Sequence, residues 1–146
     1  MTRTRLTFIV LVLVAALVAG APPASGSAAV LRTRMLGFVN RSRDAHGLRA
    51  LKLDLDLSNY ALYHSGRMAA TGYLFHSTHM ARHLRGTNWN AWGENLGAAR
   101  TLRRVKNLWL KSPDHRYNLL NRRYHHVGIG VVKSGGWFWV TAIFYG

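Results

Sequence analysis

The chain contains no cysteine. Disulfides, thiolate metal sites and thiol catalysis are therefore excluded, and stability must come from packing and hydrogen bonds. Acidic residues are nearly as scarce. Asp44, Asp54, Asp56, Asp114 and a single glutamate, Glu94, stand against 20 lysines and arginines, a formal charge of +15 over 146 residues. Acid–base chemistry thus has very few carboxylates to draw on. Proline is rare too, and only Pro113 lies beyond residue 23. What is present is positive charge, which favours anionic partners (nucleic acid, lipid headgroups or acidic envelope polymers) without choosing among them. Hydrophobic residues make up 49%, enough to build the core of one domain.

The first 29 residues have the layout of a cleavable secretory leader. Arg3 and Arg5 precede the apolar run Leu6 to Val18, which is short for a bilayer span. Small residues, interrupted by Pro22 and Pro23, follow to Ala29. Pro22 disfavours a cut after Ala21, whereas a cut after Ala28 or Ala29 meets the small-x-small rule. The expectation is a leader over 1–29, a secreted product, and one domain over 30–146. Without Arg3 and Arg5 that domain keeps 18 basic and 5 acidic residues, so the charge belongs to the folded part.

Helical spacing of Met35, Phe38, Val39 and Ser42 predicts a first helix that stops near Gly47. Leu51 to Leu57 alternates in strand fashion, but its aspartates lead into a helix capped by Asp56 or Ser58 and ending at Thr71–Gly72. Leu57, Ala61, His64 and Met68 would share its inner face. Tyr73 to Asn95 shows no period and reads as loop, with a short helix near Met80–Leu84. Leu102, Val105 and Trp109 mark another helix, and Ser112-Pro113 opens a further short one to about Asn121. Val127–Val132 and Trp137–Tyr145 around Ser134-Gly135-Gly136 read as a hairpin, its second strand apolar enough to be covered on both faces. The fold class is α+β: a three-layer α–β–α sandwich around a central antiparallel sheet.

Three segments carry the candidate chemistry: Phe75-His76-Ser77, Gly93-Glu94-Asn95-Leu96, and Ser112-Pro113-Asp114-His115-Arg116-Tyr117-Asn118, the last continuing to Val127-Gly128-Ile129-Gly130-Val131. In this order they resemble the bacterial, SCP-domain branch of the CAP superfamily, the cysteine-rich secretory, antigen 5 and pathogenesis-related 1 proteins. The resemblance runs from about Met35 to Tyr145. It implies the α–β–α sandwich and a cleft holding paired histidines and acids, which carries over to His76, Glu94 and His115. A second acid commonly precedes the Val-Gly-x-Gly strand of such proteins; here that position is His126. Where eukaryotic members of that superfamily have a His in a His-Tyr-Thr-Gln segment and a Glu shortly after the helix Trp, this chain has Arg123 and Ser112.

Physically, two imidazoles and a carboxylate can do several things. His76, Glu94 and His115, with His126 added if geometry allows, can form a ligand site, and the first three can bind Zn²⁺ with water in an open position. Glu94 can instead fix the tautomer of a histidine that meets a polar ligand. The same groups can simply hydrogen-bond one another and hold loops to the sheet, as Asn95 and Asn118 are expected to do through backbone bonds. No serine nucleophile elbow, two-histidine metalloprotease helix or carboxylate pair appears, so catalysis by a metal-bound or histidine-activated water is the second reading. The first is a binding domain for a small ligand, of the lipid or sterol class the resemblance implies. The third is a basic binder of anionic envelope surfaces, through Arg100, Arg103, Arg104, Lys106, Arg122 and Arg123; export argues against nucleic acid.

Overall fold

The computed structural model describes residues 25–146. The charged and apolar parts of the expected leader lie outside the described residues. The first helix, α1, spans Ser25–Asp44, so the boundary read between Ala29 and Val30 falls within it. The chain then breaks at Gly47, which takes a left-handed φ of 65°.

The alternating stretch after α1 divides at Asp54. Lys52–Leu53 form a short strand, β1, and the helix α2 runs Leu55–Thr71. The expected cap at Asp56 or Ser58 is corrected to Asp54, whose carboxylate accepts the Leu57 N–H at 2.9 Å. Gly72 closes α2 in the left-handed conformation (φ 74°). A four-residue helix, α3, spans Met80–His83. Then comes β2, Trp92–Ala99, where the sequence reading had loop up to Asn95. Helices α4 (Leu102–Lys111, capped by the Thr101 side chain) and α5 (Pro113–Leu119) follow. The hairpin strands are β3, His126–Ser134, and β4, Trp137–Tyr145. Gly135 and Gly136 turn it with φ of 57° and 74°, which a side chain at either position would resist.

The sheet order is β1-β3-β4-β2. It is antiparallel except at one edge, where Lys52 and Leu53 pair in parallel with His126 and Val127. The expectation of a purely antiparallel sheet is corrected there: β1 is reached from α1 and feeds α2, so it runs in the direction of β3. Alternate residues of β4 face opposite layers. Ile143 and Tyr145 pack with Leu57 and Ala61 of α2 and with Met80 and Leu84. Ala142 and Phe144 pack with Met35 and Val39 of α1, Val105 and Trp109 of α4, and Leu119 of α5. The outer end of β4 is not covered on both faces, for Trp137 is 39% exposed.

The Gly-x-Gly of β3 fits α2 directly onto the sheet. A Cβ at Gly128 would lie 2.6 Å from Leu57, and one at Gly130 would overlap the Ala61 carbonyl. Two strand residues advance about 6.8 Å and four helical residues about 6 Å. Leu57 and Ala61 therefore come into register with the two glycines, and the helix rests on bare backbone.

Candidate functional site

Glu94 projects from β2 on the α2 side of the sheet, its side chain only 3% exposed. A buried carboxylate must be compensated, and the chain does this with the loop that leaves Gly72. Oε2 accepts from His76 Nδ1 at 2.6 Å and from the Ser77 N–H at 3.0 Å; Oε1 accepts from the Ser77 hydroxyl at 2.5 Å. These bonds fix His76 as the tautomer with its proton on Nδ1. The His76 side chain is 69% exposed, so its Nε2 side faces outward.

His115 comes from α5, on the other side of the sheet edge. Its Nδ1 hydrogen-bonds the Ser112 hydroxyl at 2.8 Å, which draws that hydroxyl away from capping α5. Burial holds the His115 imidazole below its ordinary basicity, and the charge His76 can carry adds to this, against a weaker pull from Asp114. The two histidines thus lie within electrostatic reach of each other. Each is anchored through Nδ1, and among the described residues nothing bonds either Nε2. Two asparagines tie α5 to β2. Asn95 donates to the His115 carbonyl at 2.8 Å, and Asn118 donates to the Glu94 carbonyl at 3.3 Å and to Asn95 Oδ1 at 3.1 Å.

His126 is not drawn into this group. It stacks on Tyr145 (4.9 Å, 15°), two strands and two register positions from Glu94. Among the described residues no three His, Asp or Glu side chains are grouped so as to hold a metal ion; both Glu94 oxygens accept hydrogen bonds from His76 and Ser77. The Ser, His and Glu found together are also wired differently from a nucleophilic triad. Ser77 donates to Glu94 rather than to His76, so no imidazole is set to take its proton.

Sequence reasoning overlooked two contributors. Ser77 appeared only as part of a motif, yet it supplies two of the three bonds to Glu94. His64 was read as a core histidine; it is 2% exposed and sits next to the site. Its Nδ1 hydrogen-bonds Thr141 Oγ1 at 3.2 Å, and Phe75, the neighbour of His76, stands edge-on to it at 5.0 Å. Burial lowers its basicity, opposed by Glu94 and reinforced by Arg67 and His76. The sequence signal was its place on the α2 face that meets β2's neighbours.

Residues 36–144 match the model of the cysteine-rich secretory protein (CAP) family. A Bacillus subtilis relative, the uncharacterized protein YkwD, is 29% identical over 120 residues, covering 77% of this chain and 46% of its own. An extracellular protein of Bacillus anthracis containing a SCP domain superposes with a TM-score of 0.66 at 26% identity, over 81% of this chain and 41% of that one. An outer surface protein of Borrelia burgdorferi gives a TM-score of 0.68 at 23% identity, over 77% of this chain and 90% of that one. The chain thus spans less than half the length of the two Bacillus proteins. With the family model matching most of its length, and sandwich and motifs in place, this cysteine-free chain belongs to the cysteine-rich secretory protein (CAP) family.

Proposed function

We propose that the protein is exported and serves as a binding domain, holding a small ligand with a polar or anionic head between His76 and His115. The carrying observation is that both imidazoles are anchored through Nδ1 and lie near enough for one to act on the other's basicity, with both Nε2 atoms left without a protein partner among the described residues. Glu94 keeps His76 in place and is the one carboxylate hydrogen-bonded to either histidine among the described residues. With a single carboxylate, the arrangement is better matched to recognition than to two-carboxylate chemistry. Export is supported by the leader pattern of residues 1–29 and by the extracellular or outer-surface descriptions of the Bacillus anthracis and Borrelia proteins.

The test is an imidazole ¹H–¹⁵N spectrum of the secreted chain, titrated in turn with inorganic phosphate, octanoate and Zn²⁺. The expected result is that phosphate or octanoate moves the Nε2 signals of His76 and His115 together, and that His115→Ala abolishes the shift at His76. A shift at His76 that survives His115→Ala refutes the shared site; joint displacement by Zn²⁺ alone would replace the ligand reading with a metal one. A second reading has one observation in its favour. Burial lowers the basicity of His115, which favours the neutral form a general base needs to activate water. Hydrolysis of model esters unchanged by His115→Ala would end it.

A further inference from the structure

Very little of the protein's positive charge is neutralised within it. Among the described residues the one basic side chain in contact with a carboxylate is His76, on Glu94, so the lysines and arginines there make no ion pairs. On one face they lie instead over aromatic rings. Between α1 and α4, Arg34, Phe38, Thr101, Leu102, Arg103 and Phe138 line a groove of about 280 Å³ that no carboxylate enters. Phe38 carries two guanidinium groups, Arg41 at 5.0 Å and Arg103 at 5.9 Å from the ring centre. The Lys133 ammonium lies 5.6 Å over Phe138. All four cations, Arg34 included, are exposed.

Resting on a ring restrains a long side chain while leaving its donors toward water, which lowers the entropic cost of meeting an anion. Three of the four are arginines, whose planar fork matches phosphate oxygens in pairs. We propose that this groove is a docking surface for a linear polymer of phosphate groups, its successive charges met by Arg34, Arg103, Arg41 and Lys133. The aromatic rings argue against a lipid bilayer and against nucleic acid. Phe38 and Phe138 are half-buried and already covered by cations, so they neither protrude into a bilayer nor offer an open face to a nucleic-acid base.

The experiment measures binding of long-chain inorganic polyphosphate to the secreted chain between 50 and 300 mM salt. Arg34→Ala/Arg103→Ala is compared with Arg82→Ala/Arg85→Ala, which removes the same charge from exposed positions on and beside α3. The groove pair is expected to weaken binding about ten-fold and to make the salt dependence shallower by about one to two contacts; the control pair should weaken it less than about three-fold. All four side chains are exposed, and a melt of each variant confirms the fold. Equal losses in the two pairs would show diffuse attraction and overturn the proposal. So would phosphatidylglycerol vesicles or single-stranded DNA binding through the groove pair more tightly than polyphosphate does.

Discussion

Removing the Glu94 carboxylate isolates what holds the His76 loop to the sheet. In Glu94→Ala the Ser77 N–H, the Ser77 hydroxyl and the His76 Nδ1–H all lose their acceptor. Bonds to a charged group are each worth about 1.5–3 kcal/mol, but His76 is 69% exposed and recovers water at once, so its share is heavily discounted. The two Ser77 bonds set the loss, reduced because Ser77 is only half-buried and because the cost of burying the carboxylate disappears with it, so about 2–3 kcal/mol is expected. For a domain of this size that lowers the melting temperature by about 6–12 °C. Glu94→Gln separates shape from charge. Its amide oxygen can keep the two bonds made by Oε2 while its NH₂ donates to the Ser77 hydroxyl, so about 1 kcal/mol should be lost. Urea unfolding at pH 7 gives the energies, and amide exchange at Ser77 reports the loop directly. A Glu94→Ala protein within 0.5 kcal/mol of the parent on the same assay, or a Gln variant that loses more than the Ala variant, would show that these bonds do not anchor the loop.

Gly130→Ala should be the most damaging single-methyl change in the sheet. Its Cβ meets the α2 backbone at Ala61, which cannot step aside as a side-chain end can, and about 3 kcal/mol or more is expected from urea melts; a loss under about 1 kcal/mol would disprove the direct helix-on-strand contact. Stability should also fall as the pH is lowered from about 7 towards 5. The folded basicities of His64 and His115 are depressed mainly by burial. The unfolded chain therefore takes up protons first, and the stability of the neutral forms is present above the ordinary histidine pKa and lost below it. Melting temperatures across that range should show a shallower slope in His64→Gln; an unchanged slope would remove His64 from the account.

The elements most legible in the sequence are those whose cause is local. Gly47, Gly72 and the Gly135-Gly136 pair mark chain reversals because their backbones are left-handed. Ser112-Pro113 marks a helix start for an equally local reason. The hidden elements are those decided by tertiary neighbours. β2 carries Gly93, Glu94, Asn95 and Gly97, a poor strand by propensity, yet it pairs along its whole length with β4. Its polar side chains find partners in Ser77, His76 and α5, and Gly97 lets Val105 and Trp109 approach; none of these is near in sequence. The cap of α2 was misplaced for the same reason. Asp54 serves as cap while its other oxygen accepts from the Tyr145 hydroxyl at 2.8 Å, a bond across 91 residues that no local pattern encodes. His126 occupies the position of a family acid, and only the register shows that its ring turns to Tyr145 instead.

The missing cysteines have a structural counterpart in single polar groups that each hold several distant segments. Arg43, 1% exposed at the end of α1, donates to the carbonyls of Arg49, Leu119, Asn121 and Tyr124. Asn40 both donates to and accepts from Leu51, and Trp109 Nε1 donates to the Leu96 carbonyl at 2.7 Å. A disulfide acts largely by restricting the unfolded chain; these bonds leave the unfolded chain untouched, so their whole effect lies in the folded state and requires every buried donor to be met. The arrangement is uneven across the molecule. The α1–α5 side is tied by Arg43, whereas the segment from Tyr73 to Ser77 is held to the sheet through Glu94 and to α2 through the contacts of Phe75 with His64 and Arg67. Position at the candidate site therefore depends strongly on one carboxylate and one buried imidazole. Perturbing either should move His76 before it unfolds the domain.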